Sequence, residues 1–231
     1  MDVLSSNERQ KILRRKLKDF NKQNGFRFVT SRIVLREQNN IVQYISFIIK
    51  QGFMTADVVT QPLYIEAESY ILNICFRINH LRKGKKRHWA EFHQSEEEFC
   101  LDVDEIIDIL QNEGLRWFEY SQTPEALIQM SLDKNLEITQ GYNIHARLYT
   151  VAMSYLYIGD TEKGIMYLEK YIDELIEYRK IINNGTLTES DKMRIDNLLQ
   201  WLDLAKNTPE RLPEIFKGII ARTRLALKLD K

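Results

Sequence analysis

The sequence predicts an α+β protein: an N-terminal helix packed on a small antiparallel sheet, followed by an all-helical C-terminal half. Three observations carry that prediction. Residues 26–79 are rich in Val, Ile, Phe, Tyr and Thr, and Leu72, Ile74, Phe76 and Ile78 alternate with Asn73, Cys75, Arg77 and Asn79. That period of two belongs to a half-buried strand. No alternation of strand and helix runs along the chain, which argues against a parallel doubly wound sheet. Beyond Trp89, apolar residues recur almost everywhere at helical spacing.

The first helix opens at Ser5, with Glu8 three residues on to close a capping box. Ile12, Leu13, Leu17 and Phe20 fall on one face, and Gly25 stops the helix. Arg9, Arg14, Arg15, Lys18 and Lys22 are assigned to the opposite, basic face. Ile33–Glu37 and Ile41–Lys50 read as strands joined by a hairpin turn at Asn39-Asn40, the second strand being apolar enough to be central. Ser95 begins a short helix whose exposed first turn is Glu96-Glu97-Glu98. Asp102 caps another, with Glu105 closing the box and Gly114 ending it. Thr123-Pro124 is an N-cap followed by proline at the first helical position. Residues 143–158 and 161–182 form two helices joined at Gly159-Asp160. Ile195, Leu198, Leu199 and Leu202 mark a further helix, and Leu212, Ile215, Phe216, Ile219 and Thr223 mark the last, starting near Pro213. The domain division expected from this order is 1–118 for the α+β part and 119–231 for the helical part.

The 231 residues carry 33 Lys+Arg and 33 Asp+Glu, for a formal net charge of zero. The balance is uneven: residues 1–90 hold 17 basic and 7 acidic side chains, and residues 91–231 hold 16 and 26. A basic first part and an acidic second part either attract one another or meet different partners. Nine glycines and four prolines argue against a low-complexity chain. Two cysteines, Cys75 and Cys100, form no C-x-x-C pair and read as free thiols of a cytoplasmic protein. Met1–Asn7 has no signal-peptide core, and residues 41–49 are too short and polar to span a bilayer.

The motifs that carry chemistry are missing. There is no G-x-x-x-x-G-K-[ST], no G-x-G-x-x-G, no H-E-x-x-H and no G-x-S-x-G. A soft metal could only use His80, His88, His93 and Cys75. The four-residue gap between His88 and His93 is loose for a zinc pair, so no metal and no cofactor are expected. His145 reads as a packing residue. Arg82, Lys83, Lys85, Lys86 and Arg87 concentrate five cations in one loop, with Trp89 and Phe92 following as stacking groups. Such a run either contacts phosphates or is a solvated loop whose lysines discourage edge pairing.

Between residues 142 and 176 the spacing of Leu148, Val151, Ala152 and Tyr155, the Gly159-Asp160 turn, Gly164 and Leu168 resembles one tetratricopeptide unit, a helix–turn–helix. Ala152 and Gly164 are the small residues that let two helix axes approach. Tyr171 stands where that family has alanine, and no second copy follows at the same offset. The resemblance implies a scaffold that binds proteins or peptides. Tyr167, Tyr171 and Tyr178 recur on the second helix and read either as packing or as a contact strip for a partner. The first half, through Gly25-Phe26 and Ile45-Ser46-Phe47, loosely resembles the bacterial family domain of unknown function 4304, which implies an α+β fold and no activity.

These features point to a non-catalytic protein–protein interaction protein, with an immunity or adaptor factor as the expected kind, another protein as its partner and no membrane contact. The sequence bears no sign of its oligomeric state. The alternative is a nucleic-acid-binding protein using Arg14, Arg15 and Lys18 of the first helix together with Arg82, Lys83, Lys85, Lys86 and Arg87. An enzyme would need polar groups converging between sheet and helices without any motif to announce them.

Overall fold

A computed structural model describes residues 4–50, 53–71, 74–81, 95–133 and 144–230. The fold is α+β: an N-terminal helix, a five-stranded antiparallel sheet, then helices. The chain divides into two compact units. Among the described residues the first holds 4–50, 53–60, 75–81 and 95–122, and the second holds 61–71, 74, 123–133 and 144–230.

In the first unit, α1 (Ser6–Asn24) begins with the expected box. Ser5 Oγ accepts from the Glu8 backbone N–H, and Glu8 Oε2 accepts from the Ser5 N–H at 2.8 Å. It ends at Gly25, whose φ of 73° is left-handed and suits glycine. Ile12, Leu13, Leu17 and Phe20 are buried as the periodicity requires. Arg9 departs from its expected place on the basic face. It is only 5% exposed, and its guanidinium lies 5.7 Å from the centre of the Phe99 ring. Position 9 precedes Ile12 and Leu13 by three and four residues, so it shares their face, and helical geometry overrides the charge.

The sheet runs in the order β1 (Arg27–Phe28), β2 (Ile33–Gln38), β3 (Ile41–Lys50), β4 (Phe53–Pro62) and β5 (Cys75–Arg77). Asn39 and Asn40 both take positive φ, 53° and 58°, the geometry of a type I′ hairpin that matches strand twist. Asn39 Nδ2 anchors the turn by donating to the Gln122 carbonyl at 3.1 Å. β3 is central, and its side chains are buried on both faces from Ile41 to Ile45. The strand expected over residues 72–79 is shorter. Residues 72 and 73 lie outside the described residues, and after Arg77 the chain turns into a 3-10 helix, Ile78–Leu81. Ile74, Phe76 and Ile78, the described members of the inward set, are nevertheless all buried. Asp57 on β4 faces its register partner Arg77 on β5 and accepts two hydrogen bonds at 2.7 and 3.1 Å.

The region from Ser95 to Tyr120 corrects two sequence-based expectations. Asp102 caps nothing; it lies inside α2 (Glu96–Ile109), which starts at Ser95 with a reciprocal box to Glu98. Phe99, Val103, Ile106 and Leu110 bury one uninterrupted stripe through that position. Gly114 does not end the helix either. A π-type turn, Leu110–Gly114, carries it on into α3 (Leu115–Glu119). Gly114 has ordinary right-handed dihedrals, and a Cβ there would sit 3.2 Å from Leu110 Cδ2 and 3.6 Å from Val58 Cγ2. The glycine serves close packing, not chain reversal.

The core of this unit is closed by α3. Trp117 is fully buried, its ring centre 5.0 Å from that of Phe76, and its indole N–H donates to Thr60 Oγ1 at 3.1 Å. Thr60 Oγ1 in turn lies 2.7 Å from Ser121 Oγ. Gln43 spans the core, donating to the Phe118 carbonyl at 2.6 Å and accepting from Arg36 Nε at 2.8 Å. Burial holds the Arg36 pKa below its ordinary value.

The second unit contains α4 (Pro124–Leu132), α5 (Ile144–Ile158), α6 (Thr161–Ile182), α7 (Glu189–Asn207) and α8 (Leu212–Leu227). Thr123 caps α4 with Pro124 at its first position, and Gly159, at φ 88°, turns the chain from α5 into α6 with Asp160 as N-cap. Gly164 lets α5 and α6 touch: a Cβ at this position would lie 2.4 Å from Leu156 Cδ2 and 3.1 Å from the Leu156 backbone nitrogen. Behind them, Tyr64 stacks on Tyr157 at 4.2 Å and donates to or accepts from Ser154 Oγ at 2.8 Å. Among the described residues no helix is long and apolar enough to cross a membrane.

Candidate binding cleft

The sequence-derived site residues fall in separate places. Arg14 is exposed and its guanidinium lies 4.8 Å from the centre of the Phe28 ring. Arg15 donates to Glu96 at 2.9 Å, and the neighbouring Lys16 pairs with Asp104 at 2.7 Å, so this face of α1 meets acidic side chains of α2. Lys18 is exposed. Arg82, Lys83, Lys85, Lys86 and Arg87 lie outside the described residues, as do His88 and His93 and the side chains of His80 and His145. Among the described residues no group of three His, Cys, Asp or Glu is placed to hold a metal. Cys75 is half-buried, and burial pushes its thiol up to about 11, which leaves little thiolate at neutral pH.

The three tyrosines of α6 do not share one surface. Tyr167 stacks on Tyr155 at 5.6 Å, Tyr178 is exposed near the C-terminal end, and Tyr171 is buried. Tyr171 leads to a cleft of about 560 Å³ within the second unit.

α7 forms the long wall of that cleft. Its start is held firmly: Thr188 caps the helix, and Asp191 Oδ2 accepts from the Thr188 hydroxyl at 2.7 Å and from Asn183 Nδ2 at 2.9 Å. The Thr188 hydroxyl is the main cause that holds the Asp191 carboxyl below its usual value, with Arg179 contributing. From this anchored turn, Arg194, Asn197, Leu198, Trp201 and Leu204 project along one stripe into the cleft. Arg194, Asn197 and Gln200 are exposed at its rim. Leu198 and Trp201 continue into packed structure, with the Trp201 ring 5.5 Å from Phe216 of α8.

The facing wall comes from α5 and α6. Tyr149 and Tyr171 lie 5.3 Å apart, and Arg194 Nη2 donates to the Tyr171 hydroxyl at 2.6 Å. No carboxylate among the described residues lies within ion-pairing distance of Arg194. Glu66, also at the cleft, is taken by Arg222 at 2.8 Å. The cleft therefore offers aromatic faces, side-chain amides and one guanidinium whose remaining N–H groups are directed by the Tyr171 oxygen.

Burial pushes the Tyr149 phenol up to about 12 from an ordinary 10, with Tyr171 adding to the shift and Arg194 opposing it. The unfolded chain therefore releases this proton first. Stability from this group is intact below pH 10 and is lost as the pH rises from 10 towards 12. Urea midpoints measured across that window are expected to fall more steeply for the native chain than for Tyr149→Phe. Equal slopes would contradict the burial of the hydroxyl.

Nothing in the sequence had singled out Arg194 or Trp201. The available signal was the mixed stripe at 194, 197, 201 and 204, whose polar start masks its helical period. Comparison with family models, with curated proteins and with solved structures found no match.

Proposed function

We propose that this protein is a non-catalytic interaction protein of the adaptor or immunity kind, whose helical unit takes a segment of a partner protein into the α7 cleft. One observation carries the reading: a cleft of about 560 Å³ combines the rings of Tyr149, Tyr171 and Trp201 with exposed hydrogen-bonding groups along a single helix face. Tyrosine and tryptophan supply large contact area at small entropic cost, and interfaces are enriched in both. The intramolecular pairing of Arg15 and Lys16 with α2 favours this reading over phosphate binding by α1.

Selection of random displayed peptides on the full chain tests the proposal. Sequences are expected to enrich whose binding falls at least about tenfold in Trp201→Ala, the loss of one aromatic anchor. Because Trp201 also packs on Phe216, Asn197→Glu is the companion variant; it places bulk and negative charge at an exposed rim position. No enrichment, or enriched peptides indifferent to both substitutions, would remove the cleft from the account.

A further inference from the structure

We infer that the cleft reads an acidic side chain inside an extended segment, together with an apolar or aromatic side chain three residues away; this rests on the peptide-binding reading above. The inference comes from the polarity gradient along α7. Arg194 and Asn197 stand at the polar end of the stripe, and Trp201 and Leu204 at the apolar end. A helix rises about 1.5 Å per residue, so Arg194 and Trp201 are about 10 Å apart along the axis. A chain in the extended polyproline II form advances about 3.1 Å per residue and turns once in three residues, so side chains three apart lie on one face about 9 Å apart.

Charge selects the acid. Arg194 spends one N–H on the Tyr171 oxygen and meets no carboxylate among the described residues, whereas Glu66 across the cleft is paired with Arg222. Of the two charged side chains that line the cleft, Arg194 and Glu66, it is Arg194 that lacks a counter-ion among the described residues. A guanidinium presents parallel N–H groups that match a carboxylate in two-point geometry. The Tyr171 bond fixes its orientation before any ligand arrives, which lowers the ordering cost of binding.

The helical walls select a side chain over a chain terminus. Capture of a terminal carboxylate draws on converging backbone N–H groups in a loop or nest. Here Tyr149 and Met153 lie within α5, and Arg194 to Leu204 lie within α7, where backbone N–H groups are already spent on the helix. Apart from the loop residue Glu66, only side chains remain to donate.

The peptides selected on the full chain provide the test, measured by fluorescence anisotropy as acid, acid→Gln and acid→Lys versions, each with a free or amidated C-terminus. Peptides carrying Asp or Glu three residues from an apolar residue are expected to bind. Arg194→Gln is expected to weaken them at least about tenfold while leaving the acid→Gln versions unchanged. Arg194→Glu is expected to reverse the preference in favour of acid→Lys. Amidation is expected to change nothing. If peptides bind in a Trp201-dependent way without an acid, or with equal affinity to Arg194→Gln, the carboxylate inference is overturned while the cleft remains a peptide site. If binding requires a free C-terminus, the terminal carboxylate is the ligand and the internal acid is overturned. If no peptide binds, the underlying proposal fails too.

Discussion

Gly164→Val is expected to destabilise the helical unit by about 3 kcal/mol, at the upper end of what overpacking a dense core costs. The glycine is buried on α6, and its dihedrals are helical, so backbone strain is not the reason. The reason is space. A Cβ would meet Leu156 Cδ2 at 2.4 Å and Cγ at 2.6 Å, with the Leu156 backbone nitrogen behind them at 3.1 Å. Leu156 is only 1% exposed, so its side chain has little room to retreat. Alanine brings the same first contact but gains about 1 kcal/mol of helix propensity over glycine, so its net penalty is smaller. Leu156→Ala costs about 2–5 kcal/mol alone by leaving a cavity. In the double variant the valine occupies part of that cavity, and the two penalties are expected to fall short of their sum by at least about 0.5 kcal/mol. Denaturant unfolding of the four chains measures the cycle. Strict additivity would show that the two helices do not meet at these residues.

The second large effect belongs to the sheet-bearing unit. Trp117→Ala is expected to cost about 3–5 kcal/mol, the range for deleting a fully buried large aromatic side chain. The loss includes the contact with Phe76 and leaves Thr60 without its indole donor. Thr60 keeps the 2.7 Å contact with Ser121, so the hydroxyl is not stranded. Trp117→Phe preserves an aromatic ring near Phe76 and is expected to be milder, about 1–2 kcal/mol for the smaller ring and the missing N–H. Far-ultraviolet circular dichroism in urea distinguishes the two. A loss under about 1 kcal/mol for the alanine variant would contradict a dry, tightly filled site.

The elements legible in the sequence share a short range. The box of Ser5 and Glu8, the Asn39-Asn40 turn, the Thr123-Pro124 start and the Gly159-Asp160 turn each close within a few residues. Their chemistry is local, and so is the information that specifies them. The α+β order followed from the same evidence, since period two and helical period are both read within a dozen residues.

Three misreadings show where local information stops. The charge of Arg9 points to solvent, yet its helical phase turns it towards Phe99. Asp102 with Glu105 has the form of a capping box, but Ser95 with Glu98 has it too, and the apolar stripe continues through Asp102. Gly114 has the composition of a stop signal, but its right-handed dihedrals and its approach to Val58 belong to packing.

The cleft is less legible still. Tyr171 was visible as one of a stripe of tyrosines, but the stripe dissolves once burial is known. Tyr167 finds Tyr155, Tyr178 stays outside, and Tyr171 alone lines the cleft with Arg194. Arg194 lies 23 residues from Tyr171 in the chain, and Trp201 meets Phe216 across another turn. What the sequence determined by itself was the succession of helices and strands, because caps, turns and periodicity act over three or four residues. What only the tertiary structure decided was which charge goes inside, which glycine is a contact and which side chains surround the cleft. Those depend on partners that the chain brings close only by folding.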